Sequence, residues 1–137
     1  MDSNFQKRPR NKYESSLVFP DYINRIWKLL KEKTKIIEIC LLIKLIITDN
    51  PKNSNNSLLN NISCIELETK TFNKSVTYVL ILNNNTTINI KFLLYPNTSD
   101  NSTLIILELT TFYEEQNENY FSKIPKLFLN ELINYII

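Results

Sequence analysis

Thr86-Thr87-Ile88-Asn89-Ile90-Lys91-Phe92-Leu93-Leu94-Tyr95 is the stretch that decides the fold. Ile88, Ile90, Phe92 and Leu94 alternate with Asn89 and Lys91, a period of two that predicts a strand with one buried face. Three neighbouring segments repeat the pattern. Residues 75–82 set Val76, Tyr78 and Leu80 on one face, and residues 102–113 place Ile105, Leu107 and Leu109 opposite Glu108 and Thr110. Residues 62–71 alternate Ile65 and Leu67 with Glu66 and Glu68. Short polar linkers separate the four, so an antiparallel meander is the simplest arrangement.

Upstream of the meander, residues 13–19 read as a short strand that Pro20 ends. A helix should follow, with Pro20 or Asp21 marking its start, because Pro suits a first turn and Asp an N-cap. Tyr22, Ile23, Ile26, Trp27 and Leu30 recur at helical spacing and give it one apolar face. Residues 34–48 are apolar almost all round, and their many Ile residues lean towards strand. The expectation is a second helix that runs into a strand near residues 43–48. Residues 49–60 form a polar loop containing Pro51. Downstream of the meander, a closing helix is expected with Ser122 at its N-cap and Pro125 in its first turn. Phe121, Ile124, Phe128, Leu132, Tyr135 and Ile136 make its broad apolar face, which needs a large apolar partner, and the sheet is the one available. The expected organisation is a disordered basic arm over residues 1–12, carrying Lys7, Arg8, Arg10 and Lys12, and one α+β domain over residues 13–137.

Composition bounds the function. The 137 residues suit one core, and a hydrophobic fraction of 43% is that of an ordinary globular protein. A net charge of +2 is too small to argue for nucleic acid. With no His there is no imidazole base, no usual catalytic triad and no His metal ligand. With no Gly there is no phosphate-cradling loop of the usual kinds, and turns that need positive φ must use Asn or Asp. Asn83-Asn84-Asn85 and Asn97-Thr98-Ser99-Asp100-Asn101 are suited to that role. Cys40 and Cys64 lie in apolar runs and are read as buried free thiols, with one disulfide as the alternative. Residues 1–12 lack the apolar core of a signal peptide, and the apolar run 36–47 is too short to span a bilayer, so the expected location is cytoplasmic.

No set of residues reads as a catalytic centre. Glu66 and Glu68 share a strand with apolar residues between them, the pattern of a wet strand face rather than of a buried acid–base pair. Glu108 and the pair Glu114/Glu115 are read as solvated carboxylates. Ser and Thr residues are plentiful but lack a base. Arg25, Lys28, Lys31, Lys33 and Lys35 make a basic face read, like the N-terminal arm, as a solvated surface, with peripheral contact with an anionic membrane or an acidic partner as the alternative.

Leu17-Val18-Phe19-Pro20, leading into Asp21-Tyr22-Ile23-Asn24-Arg25-Ile26-Trp27-Lys28-Leu29-Leu30, resembles the opening of the START-like (SRPBCC, Bet v 1-like) helix-grip domains, in which a first strand enters a helix whose Trp packs on the sheet. Phe92-Leu93-Leu94-Tyr95-Pro96, with the turn after it and Thr103-Leu104-Ile105, is similar to the last hairpin of that family, and a long C-terminal helix follows in both. The family's glycines between strands are missing here. The resemblance implies a curved antiparallel β-sheet gripping a long C-terminal helix. It also implies a non-enzymatic function without cofactor or metal: binding a lipid or other small hydrophobic ligand in a cavity between sheet and helix. The residues that would line such a cavity are Trp27, Ile90, Phe92, Leu107, Leu109, Phe121, Phe128 and Leu132, which would equally form a dry core.

A second resemblance competes. Helix, strands and closing helix is also the order of RWD-like kinetochore domains, and Ile124-Pro125-Lys126-Leu127-Phe128-Leu129 is similar to the Leu-Pro helix start of the Csm1/Pcs1 chromosome-segregation family. That reading implies one long dimerising helix over residues 21–42 and an adaptor that works by protein–protein interaction.

Overall fold

The computed structural model describes residues 11–47, 62–82, 87–111 and 118–136. Strand β1 (Asn11–Phe19) is followed by helices α1 (Ile23–Leu30) and α2 (Lys33–Ile47). Strands β2 (Ile62–Thr71), β3 (Ser75–Leu82), β4 (Thr87–Asn97) and β5 (Ser102–Thr111) come next, then helix α3 (Glu118–Leu132) and a 3₁₀ turn (Ile133–Tyr135). The five strands form one curved antiparallel sheet in the order β1-β5-β4-β3-β2. The expected meander is therefore present, with β1 added beside β5, and the α1–α2 pair carries the chain between the two edge strands.

The period of two sorts the side chains as the sequence implied. Val76, Tyr78, Leu80, Ile88, Ile90, Phe92, Leu94, Ile105, Leu107 and Leu109 all turn inward and are buried. Their rows match across the sheet: Tyr78, Ile90, Leu109 and Tyr13 stand in one register, and Val76, Phe92 and Leu107 in the next. The opposite face is charged at its centre. Glu14 and Glu108 stand directly opposite each other, and Lys91 on β4 together with Lys12, whose Nζ lies 3.3 Å from Glu108, offsets their repulsion.

Turns that elsewhere use glycine use Asn. Asn73 (φ 55°) closes the β2–β3 hairpin, where the Lys74 N–H donates to the Thr71 carbonyl at 2.9 Å. Asn101 (φ 57°) closes the β4–β5 turn. There the Asn97 and Asp100 side chains accept from the backbone N–H and hydroxyl of Ser99 and Ser102 respectively, replacing missing backbone bonds.

Five expectations change. Asp21 is not the N-cap of α1; Tyr22 is, and Asp21 instead accepts from the Tyr22 N–H at 2.7 Å and pairs with Arg25. Residues 43–47 continue α2 and are not a strand: Ile36, Ile39 and Cys40 are buried at i, i+3 and i+4, so packing against α3 overrides the strand preference of Ile. The single long helix over residues 21–42 does not exist, since α1 ends at Leu30 and α2 starts at Lys33. Helix α3 starts at Glu118, so Ser122 lies inside it and Pro125 falls well past the first turn, where it withholds an N–H from the Phe121 carbonyl. Strand β1 begins at Asn11, within the expected arm, and β5 ends at Thr111. Residues 1–10, the loop 49–60, Asn83-Asn84-Asn85 and the Glu114/Glu115 pair lie outside the described residues. Cys40 is a free buried thiol, which settles the disulfide alternative; the Cys64 side chain lies outside the described residues.

Three long-range hydrogen bonds fix α1 on the end of the sheet. Thr103 Oγ1 donates to the Asp21 carbonyl at 2.9 Å, Trp27 Nε1 to the Ser75 carbonyl at 3.4 Å, and the Tyr78 hydroxyl to the Leu30 carbonyl at 2.6 Å. The last satisfies a C-terminal helix carbonyl that has no partner within the helix. Burial, with the Glu32 charge adding to it, pushes the Tyr78 hydroxyl pKa well above the ordinary tyrosine range, and burial pushes the Cys40 thiol up to about 12. Both groups hold their proton more tightly folded than unfolded. The stability this represents is present through neutral pH and is lost as pH rises past the unfolded values, about 8.5 for Cys and 10 for Tyr. Tyr78→Phe should cost about 1–3 kcal/mol in urea unfolding at pH 7, the cost of one lost bond and one buried carbonyl left unpaired. It should also flatten the fall in stability above about pH 10, the value at which an unfolded Tyr ionises.

Candidate ligand-binding cleft

The sequence singled out eight residues as possible walls of a cavity. The structure brings seven of them together, six of these between the sheet and α3. Ile90 and Phe92 on β4, Leu107 and Leu109 on β5, and Phe128 and Leu132 on α3 belong to one apolar cluster, in which the Phe92 and Phe128 rings lie 5.5 Å apart. Each is 0–2% exposed. Exposure that small leaves no surface a water molecule can reach from outside or from within. In this structure these residues are dry core between sheet and helix, and not the walls of an open cavity. Trp27, on α1, belongs to the same cluster and is 7% exposed, and the Phe121 side chain lies outside the described residues.

Among the described residues, a cleft lies at the end of the sheet. Strand β4 outruns its neighbour: the β3 register ends at Ser75 opposite Leu93, and the last bond between the two runs from the Leu94 N–H to the Lys74 carbonyl at 2.9 Å. Beyond that point β4 still pairs with β5 through Asn97. Between the shorter β2–β3 hairpin, the longer β4–β5 hairpin and the start of α1 is a cleft of about 660 Å³. Its apolar wall is Ile23, Phe72, Leu93, Leu94, Tyr95 and Pro96, and its polar rim is Thr71, Asn73, Lys74 and Ser75. Leu94 directs its N–H towards β3, so Pro96, two residues on, faces the same side. Having no N–H, Pro96 leaves no unpaired donor on this stretch of free strand edge.

Aromatic residues dominate the cleft's mouth. Phe72 is 65% exposed and Tyr95 49%, large values for such residues. Phe72 meets the edge of Trp27 with ring centres 5.1 Å apart, and Lys31 Nζ lies 4.9 Å from the Trp27 ring centre. The Asn73 Oδ1 atom, on the same turn, is buried without a hydrogen-bond partner. The sequence reading missed Phe72, although one signal was available: a large apolar residue isolated in the polar turn Lys70-Thr71-Phe72-Asn73-Lys74.

The carboxylates differ in exposure, and the Glu108 side chain is only 18% exposed. Glu66 and Glu68 are exposed, Glu66 with Lys33 4.0 Å away, and Glu108 pairs with Lys12. Among the described residues no group of three His, Cys, Asp or Glu side chains could hold a metal ion, and no helix is long and apolar enough to cross a membrane.

The fold is shared with solved structures. MLL2253 from Mesorhizobium loti superposes over 92% of this chain and 96% of its own, with a TM-score of 0.62 at 15% identity. CalU16 from Micromonospora echinospora does so over 91% of this chain and 73% of its own (TM-score 0.60, 14% identity). DynU16, a protein in the dynemicin biosynthetic locus, covers 93% of this chain, which spans 48% of it (TM-score 0.60, 8% identity). At such identities the likeness is one of fold, consistent with the helix-grip arrangement. No family model and no curated protein matches the sequence.

The packing under α3 has a direct test. Leu107→Phe should destabilise the protein by about 1–3 kcal/mol, the cost of adding bulk to a filled core. Leu107→Ala should cost about 2–5 kcal/mol. Urea unfolding measures both; an enlarged residue accommodated at no cost would show that space is open there.

Proposed function

We propose that this protein is a non-enzymatic binder of a small hydrophobic molecule or lipid, and that the ligand enters at the cleft between α1, the β2–β3 hairpin and the overhanging end of β4. The observation that carries this reading is the cleft itself: about 660 Å³ of space with an apolar wall and a short polar rim, in a chain whose apolar residues are otherwise mostly packed. Sites for small molecules have this size and lining, a few polar groups setting orientation on an apolar surface. The START-like resemblance of the sequence supports the same class of ligand. The site differs from the cavity that resemblance implies, because the region between sheet and α3 is occupied by Phe92, Phe128 and their neighbours. Burial of the ligand's apolar surface would supply the affinity.

The adaptor reading loses its main support with the break between α1 and α2, which leaves, among the described residues, no single helix over residues 21–42 through which two chains could zip.

Trp27 is the only tryptophan in the chain and touches Phe72, so it reports on the cleft. Titration with N-phenylnaphthylamine, an uncharged apolar fluorophore, should quench Trp27 emission saturably at one molecule per chain. Phe72→Ser and Tyr95→Ser should each weaken binding about tenfold, the effect of removing one aromatic contact. Saturable binding untouched by either substitution would place the ligand elsewhere, and the absence of saturable binding would sink the proposal.

A further inference from the structure

The cleft opens through a surface that is both aromatic and basic. Lys28 lies in the last turn of α1 and Lys31, three residues on, is its C-cap, with Lys31 Nζ over the Trp27 ring that packs on Phe72 of the hairpin. Lys74 is on the hairpin turn beside Phe72 and lines the cleft. Lys70 stands opposite Val76 in register, and because Val76 points inward, Lys70 projects from the sheet face that carries the helices. Among the described residues Lys28, Lys70 and Lys74 make no ion pair, while Lys33 and Lys35 are engaged with Glu66 and Glu38. Arg25 is matched by Asp21. The carboxylates nearest in sequence are Glu32, whose charge acts on Tyr78, and Glu68, so lysines outnumber acids around Phe72.

We infer that this end of the molecule docks on an anionic lipid bilayer, with Phe72 and Tyr95 entering the interfacial layer and Lys28, Lys31, Lys70 and Lys74 lying over acidic headgroups. Two features favour a bilayer over a protein partner. The exposed apolar groups are rings on the projecting ends of two hairpins, able to enter a soft interface together. The charges around them are lysines on flexible stems, which suit a field of headgroups better than the fixed geometry of a carboxylate pair. The same orientation turns the cleft mouth towards the membrane, so a lipid or apolar solute could pass between the two without crossing water; this part rests on the ligand-binding proposal above.

Sedimentation with vesicles tests the inference on the full chain. Binding should appear with phosphatidylcholine vesicles that contain phosphatidylserine, be absent with phosphatidylcholine alone, and fall with added salt. The double variant Lys28→Gln/Lys70→Gln should bind the anionic vesicles about 30-fold more weakly, as expected for two lysines near such a surface. It should still bind N-phenylnaphthylamine in solution like the unaltered protein, so the docking surface and the ligand site can fail separately. Equal binding to neutral vesicles, no binding to either kind, or full binding by the double variant would overturn the inference. Capture by soluble polyglutamate as strong as by vesicles would also overturn it, in favour of an acidic protein partner.

Discussion

The hydroxyl of Tyr78 reaches from the middle of the sheet to the carbonyl of Leu30 at 2.6 Å, in a site closed to water. Much of the architecture depends on that contact. Helix α1 has only 8 residues, too few to persist alone, so it must be held by what it touches. Tyr78 takes its C-terminal end, Thr103 the residue before its cap, and Trp27 the first residue of β3. Two strands, β3 and β5, thereby fix the helix in one position. The position has two consequences: Ile26 and Leu30 close one end of the core, and Ile23 becomes a wall of the cleft. A shifted α1 would both open the core and close the cleft.

Legibility from sequence followed the strength of the local signal. Strands β2 and β3 have the bounds that alternation predicted, because each of their faces has only one tolerable environment and a one-residue slip would bury Glu66 or expose Tyr78. Helix α2 was less legible. Its composition is apolar on nearly every side, and intrinsic preference for strand gave way to burial of Ile36, Ile39 and Cys40 against the rest of the core. The start of α3 was misplaced because Pro125 reads as a first-turn residue, and nothing local reveals that the helix begins at Glu118 and accommodates the proline internally.

The site was less legible than the fold, for a different physical reason. The residues that alternation marked as inward-facing are also the residues that fill a core, and no pattern distinguishes a side chain that touches a ligand from one that touches another side chain. Ile90, Phe92, Leu107, Leu109, Phe128 and Leu132 came together as expected and met one another. The cleft arises from a mismatch in length between two hairpins, a property of register that appears only when Ser75 is seen to stand opposite Leu93 while β4 runs on to Asn97. The sequence carried only its trace, in Phe72 and Tyr95 on segments where solvent would favour polar groups.

The absence of glycine links these observations. Both tight turns at this end rely on Asn in the left-handed region, Asn73 in one hairpin and Asn101 in the other. Asn reaches that conformation at a steric cost that Gly does not pay, but it brings a side chain that can bond locally or be left over. On the β4–β5 turn the Oδ1 atoms of the neighbouring Asn97 and Asp100 accept from Ser99 and Ser102. On the β2–β3 turn the Asn73 Oδ1 is buried and unpartnered, beside an exposed Phe and above an apolar cleft. A buried acceptor without a partner is unfavourable unless something else supplies a donor. Both hairpins line the cleft, but the buried unpartnered atom is on the turn of the β2–β3 hairpin. That asymmetry sets the β2–β3 turn apart from a simple connection: its Asn73 keeps an acceptor that no protein group satisfies.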